Sequence, residues 1–134
     1  MHIRQIKETC LYVADLDRTQ HFYHHLLGLP LIGRVEGRHV FFRAGSSVLL
    51  CFIAAKTAVD TQLPPHGSSG PGHLAFEVEA VEYERWKAHL QETGITVEYE
   101  QEWRQGQRSC YFRDPDEHLL EMVTSGLWER ESSL

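Results

Sequence analysis

The feature that most restricts this chain is an internal repeat. Moving Arg38, Phe41, Phe42, Arg43, Leu49 and Leu50 by seventy positions lands on Arg108, Tyr111, Phe112, Arg113, Leu119 and Leu120. Moving Leu11 and Val13 by sixty-five lands on Phe76 and Val78. The matches join charged and apolar positions in one order, which chance alternation does not produce. They predict two copies of an α/β unit of roughly 60 residues. One such unit has a single sheet with a single helix on it. Its second sheet face stays bare unless it meets the other unit, or a partner chain, and closes around a concavity.

Both halves read alike locally. ETCLYVADL (8–16) is strand-like and runs into a turn at Ala14–Asp15. Asp17 is expected to cap a helix through about Leu27, with Phe22/Leu26 and Tyr23/Leu27 on its apolar side and Gly28 stopping it. VFFRAG and VLLCFIA follow as two strands joined at Gly45–Ser46. In the second half HLAFEVE (73–79) is a strand. Residues 81–93 form a helix with Tyr83, Trp86 and Leu90 on one face, ended by Gly94. ITVEYE, RSCYFR and HLLEMV are three further strands, with a DPDE turn at 114–117. Between the halves, residues 57–72 are rich in Pro, Gly and Ser and read as a linker long enough to cover a site.

Size and composition narrow the class. At 134 residues with 42% apolar content, the chain suits one domain with a real core. No stretch nears the roughly 18 apolar residues of a membrane span, and MHIRQIKETC lacks the apolar core of a secretory signal. The expectation is therefore a cytoplasmic protein without membrane association. Cys10, Cys51 and Cys110 show no CxxC spacing and read as free thiols. A formal net charge of -6 argues against a broad nucleic-acid footprint.

A few polar residues stand out on otherwise apolar strands. Glu121 lies inside HLLEMV, where a carboxylate is costly unless paired or coordinated. His73 opens a strand, and Glu8 occupies the place that the duplication maps onto His73. One imidazole and two carboxylates would bind a divalent cation and leave positions for water or substrate. Taken singly, Glu8 also reads as a solvent-facing carboxylate and His73 as a hydrogen-bonded strand-end histidine. Cys51 maps onto Glu121 at the seventy-residue offset and is a candidate extra ligand, although a small buried thiol is the commoner fate. Arg38 and Arg108 are a repeat-related pair able to clamp a carboxylate or phosphate, or simply to pair with acidic side chains. His39, Tyr111 and Trp103, with Trp128, offer an aromatic or hydrogen-bonding wall for a small molecule. His21 and His25 have i,i+4 spacing without the HExxH glutamate, GSSGPG lacks the Lys-Ser/Thr of a phosphate loop, and no GxSxG elbow occurs.

CLYVADLDRTQHFYHHLLGLPL, GPGHLAFEVE and SCYFRDPDEHLLEMV together resemble the vicinal oxygen chelate superfamily (glyoxalase I, bleomycin- and fosfomycin-resistance proteins, methylmalonyl-CoA epimerase, extradiol dioxygenases), over about Ile6 to Val123. The resemblance implies an α+β fold of two tandem βαβββ modules forming a cupped mixed sheet around a central cavity. The whole chain, 1–134, would be one domain of module 1 (about 6–56), linker (57–72) and module 2 (73–126). It also implies a homodimer and one divalent metal ion per site (Ni, Zn, Mn, Fe or Co), held at Glu8, His73 and Glu121. Glu8 stands where histidine is commonest, so it is a candidate ligand or, off the metal, a catalytic base beside a substrate carbonyl. Glu117 stands where the family turn usually has glycine. The expected activity is a metal-dependent lyase or isomerase acting on a small substrate with vicinal oxygens. Two alternatives are a non-catalytic ligand-sequestering protein of the bleomycin-resistance type and an extradiol-type dioxygenase.

Overall fold

The computed structural model describes residues 1–129 and divides into two compact units, Met1–Pro71 and the chain from Gly72 onward. The last five positions of the expected 1–134 domain lie outside the described residues. The first unit runs β1 (Glu8–Tyr12), α1 (Leu16–Gln20), a π-helical continuation (His21–Leu26), β2 (Leu31–Val35), β3 (His39–Ala44), β4 (Ser47–Phe52) and a short α2 (Ala54–Thr57). The second runs β5 (His73–Val78), a 3-10 turn (Ala80–Glu82), α3 (Tyr83–Glu92), β6 (Tyr99–Glu102), β7 (Arg108–Arg113) and β8 (Leu119–Thr124). Each unit is thus βαβββ, with matching strand orders β1-β4-β3-β2 and β5-β8-β7-β6. In each mixed sheet the first strand pairs in parallel with the last, and the other pairs are antiparallel.

Three local details differ from the sequence expectation. Asp15, not Asp17, caps α1: its backbone is extended and its carboxylate accepts the Arg18 N–H at 3.0 Å. Asp17 lies within the first turn and pairs with Arg34 at 2.7 Å. The strand β2 was not foreseen, because LIGRV combines a glycine with a register irregularity between Leu31 and Gly33, and its residues are exposed or half-buried. The last strand before β7 is Tyr99–Glu102, so the ITVE part of ITVEYE lies outside it. Gly28 and Gly94 both take φ of +80°, the left-handed geometry that ends the helices they follow.

Strand register decides which side chains share a face. In the first unit Phe42 pairs with Leu49, Phe41 with Leu50 and Val40 with Cys51. In the second Phe112 pairs with Leu120, Tyr111 with Glu121 and Cys110 with Met122. The seventy-residue offset therefore holds through β3 and β7 and becomes seventy-one in β4 and β8. The cause is the connection: residues 44–47 lie between the paired Arg43 and Val48, whereas 114–118 lie between Arg113 and Leu119. Leu50 is thus the counterpart of Glu121, and Cys51 that of Met122. Across the parallel pairs the sixty-five-residue offset holds, with Glu8 opposite Val48 as His73 is opposite Leu119.

Alternation then builds the two cores. Val40, Phe42, Leu49 and Cys51 are essentially inaccessible on one face of the first sheet, where Tyr23 meets Phe42 at a ring separation of 5.6 Å. Cys110, Phe112, Leu120 and Met122 do the same in the second unit, beside the fully buried Tyr83 and Leu90 of α3. Burying such a side chain contributes about 1.5–3 kcal/mol. The opposite face of the second sheet carries His73, Ala75, Tyr111 and Glu121 by the same alternation.

The longer turn is tightly bound. The Asp114 carboxylate accepts the N–H groups of Asp116 and His118, both at 2.9 Å, and His118 Nδ1 accepts the Gly72 N–H at 2.8 Å. Glu117 alone among the described non-glycine residues has positive φ, at 67°. Because left-handed backbone costs a side chain about 1–2 kcal/mol, while glycine loses more freedom on folding, Glu117→Gly should raise stability by about 0.5–1 kcal/mol in urea unfolding. On the helix side of the same unit, Lys87 lies 2.7 Å from Glu100 and 3.3 Å from Glu84, and Arg108 also holds Glu84. Glu100 and Glu84 are both pulled below the ordinary glutamate range, by Lys87 and by Arg108 respectively. A depressed carboxylate stabilises the fold above its unfolded pKa and ceases to do so as pH falls through its folded one. Lys87→Gln should therefore be less stable than the parent near about pH 7, and the gap in urea midpoints should close toward about pH 3.

Candidate metal centre

His73 and Glu121 come together because β5 and β8 are hydrogen-bonded neighbours and both side chains leave the sheet on one face. His73 Nε2 lies 3.4 Å from Glu121 Oε1. The other ring nitrogen, Nδ1, is 2.9 Å from the Leu119 carbonyl oxygen. A carbonyl only accepts, so Nδ1 carries the hydrogen, and in the neutral ring Nε2 presents a lone pair. That lone pair faces a carboxylate oxygen, which also only accepts. Two acceptors so placed present their lone pairs to a cation set between them.

Glu121 is held from behind. Its Oε2 accepts the Ser109 hydroxyl at 2.6 Å, and Ser109 Oγ in turn accepts the Trp103 indole N–H at 2.9 Å. Trp103 sits in the loop between β6 and β7, which its own N–H closes onto the Gln107 carbonyl at 2.7 Å. Glu121 and Ser109 are buried, while the His73 side chain is half-exposed. The ring of Tyr111 stacks beside His73 at 6.4 Å, and burial together with the Glu121 charge raises its hydroxyl pKa. A protected carboxylate and an accessible imidazole of fixed tautomer form a ready two-donor edge for a divalent cation.

The other sequence candidates have definite places. Glu8 begins β1 in the first unit, exposed, at the register position His73 holds in the second. Among the described residues no set of three or more His, Cys, Asp or Glu side chains is gathered so as to hold an ion. Cys51 is fully buried on the face opposite to that of Glu8, between Leu11 and Val40, since its register partner in the repeat is Met122. Arg38 pairs with Asp60 at 2.8 Å, and Arg108 lies on the Tyr83 ring at 4.2 Å while holding Glu84, so each arginine already serves a carboxylate of its own unit. His39 stacks on Phe41 at 4.0 Å, its Nδ1 buried without a hydrogen-bond partner, and burial lowers its pKa. Trp128 is largely exposed. Ser109 was missed from sequence; its signal was being the polar residue two positions before Tyr111, on the same face of RSCYFR.

Comparison with known proteins agrees with this architecture. A model of the Glyoxalase/Bleomycin resistance protein/Dioxygenase superfamily matches residues 5–122. The crystal structure of lactoylglutathione lyase from Agrobacterium tumefaciens is similar at a TM-score of 0.91 and 33% identity, covering 97% of this chain and 100% of that one. Glutathione transferase FosA from Serratia marcescens is 30% identical over 131 residues, 96% of this chain and 86% of its own. Metallothiol transferase FosB from Bacillus licheniformis is 32% identical over 119 residues, 88% of this chain and 73% of its own. The duplicated βαβββ units and this full-length similarity establish that the chain belongs to the glyoxalase/bleomycin resistance protein/dioxygenase superfamily.

Proposed function

We propose that the protein is a divalent-metal-dependent lyase or isomerase that moves a proton beside a carbonyl on a small substrate with adjacent oxygens. The observation that carries this reading is the His73 Nε2–Glu121 Oε1 approach of 3.4 Å, two acceptors turned toward one another. Similarity along the whole chain to a lactoylglutathione lyase supports the reaction class. His73 and Glu121 would hold the ion (Ni, Zn, Mn, Fe or Co), and Glu8, at the first unit's equivalent of His73, is proposed as a further ligand or as the base. When bound, the ion supplies Lewis acidity to two neighbouring substrate oxygens.

The chain's own groups perform the rest. If Glu8 stays off the ion, its carboxylate would take the proton from the substrate carbon and return it to the adjacent one. Tyr111 flanks His73 and offers a ring face to the substrate, and His39, stacked on Phe41, offers an aromatic face in the first unit. Arg38, Arg108 and Trp103 are retained as substrate contacts only at the cost of their present partners. The protein works as a homodimer in the cytoplasm, a compartment in keeping with its three free thiols, Cys10, Cys51 and Cys110. Among the described residues no helix is long and apolar enough to cross a membrane. A second reading, transfer of a thiol to a small oxygenated substrate, is favoured by the similarity to FosA and FosB.

Metal analysis of the purified protein should find near one divalent ion per chain. His73→Ala and Glu121→Gln should each weaken metal binding by more than the about 10–100-fold that outer-shell changes cost, with the fold retained by circular dichroism. Unaltered affinity in both would remove the site. Isomerisation of a glutathione hemithioacetal to lactoylglutathione supports the first reading, and thiol consumption with fosfomycin the second. In Glu8→Gln, kept metal with lost solvent exchange at the substrate carbon assigns the base, and lost metal assigns a ligand.

A further inference from the structure

We propose that Trp103 and Ser109 are positioning residues: together they orient the Glu121 carboxylate so that Oε1 points toward His73. This rests on the reading of His73 and Glu121 as metal donors, and it gives a role to Ser109, which touches neither metal nor substrate in that reading.

The directions of the hydrogen bonds follow from chemistry. The indole N–H only donates, so Ser109 Oγ must accept it, at 2.9 Å. The single hydroxyl hydrogen is then left for the one neighbour that only accepts, Glu121 Oε2, at 2.6 Å, a length typical of a hydroxyl on a charged carboxylate. The order Trp103 N–H, Ser109 O–H, carboxylate runs one way. Ser109 is fully buried and Glu121 nearly so, which leaves little room for water to replace either bond. With Oε2 held by Ser109, and the carboxylate also hydrogen-bonded to the Tyr111 side chain, its rotation is restricted and Oε1 stays on the His73 side. His73 is fixed from its own far side by the Leu119 carbonyl at 2.9 Å. Both donor atoms are thus set by hydrogen bonds on the atoms that would not touch an ion, the arrangement that tunes metal ligands elsewhere.

The probe is cobalt(II), titrated into the metal-free full-length protein and followed by calorimetry and by its visible absorption bands. Ser109→Ala should lower cobalt affinity about 10–100-fold and move the bands. Trp103→Phe, which removes the N–H and keeps an aromatic ring, should lower it about 2–10-fold. Ser109→Thr keeps the hydroxyl and should recover most of the affinity, a rescue that loss of packing alone would not give. If Ser109→Ala fails to fold, Trp103→Phe decides the matter. Parent-like affinity and spectrum in the relay variants, with binding lost in Glu121→Gln, overturns the relay and leaves the metal reading standing. A parent that binds no cobalt overturns both.

Discussion

The whole arrangement turns on strand register. A strand presents alternate residues to opposite faces, so a shift of one residue sends every side chain to the other side. The second hairpin spends one more residue on its turn than the first. That residue brings Glu121 opposite Tyr111, on the face of His73, and away from the face where Leu120 and Met122 meet α3. The turn that achieves this is secured by the Asp114 carboxylate, by the contact of His118 with Gly72, and by a glutamate held in left-handed backbone. Backbone strain is accepted at the hinge of the register, where a looser turn would let the last strand slip.

Placed on that face, Glu121 faces an energetic problem that its neighbours solve in part. A buried carboxylate loses hydration and must recover it from donors. Ser109 donates to Oε2 and the Tyr111 side chain also hydrogen-bonds the carboxylate, while Oε1 faces His73 Nε2, the ring hydrogen lying on Nδ1 toward the Leu119 carbonyl. The apolar core beneath is complete, and the polar face above it turns a carboxylate oxygen toward an imidazole nitrogen. This approach of imidazole and buried carboxylate, and not the number of acidic residues, distinguishes the second unit's face from an ordinary solvated sheet surface. It is also built on adjacent strands, which hold donor atoms more firmly than loops do.

Much of this was legible in the sequence, and the failures are instructive. The repeat carried two like α/β units, the second half read as βαβββ, the resemblance implied that order for both, and a glutamate among leucines marked Glu121. The edge strand β2 went unseen because an edge strand with a glycine and a bulge lacks the alternation that marks a half-buried one. Cys51 was aligned with Glu121 because a constant offset cannot register a turn one residue longer; pairing in the sheet shows it. Asp15 and Asp17 lie two residues apart and either suits a helix cap by residue type, and the extended backbone at Asp15 marks it as the cap. Ser109 escaped because a serine two residues from a tyrosine has no meaning until the strand across from it is known.

The duplication also shows how one scaffold supports two surfaces of different chemistry. At the positions equivalent to His73, Ser109, Tyr111, Glu121 and Val123, the first unit has Glu8, His39, Phe41, Leu50 and Phe52. The buried carboxylate has become a leucine, and its serine partner has become a histidine stacked on Phe41 at 4.0 Å. Phe52 meets His39 and Phe41 edge-on, at 5.8 and 5.4 Å. With the carboxylate gone, a hydroxyl at position 39 would have no anion to serve, and an aromatic ring can pack there instead. Without that carboxylate the positions equivalent to Ser109, Tyr111, Glu121 and Val123 carry aromatic or aliphatic side chains, while Glu8 keeps a polar group at the position of His73. The helix-facing residues, by contrast, keep their apolar character in both units, because the demand of close packing does not depend on what the open face does.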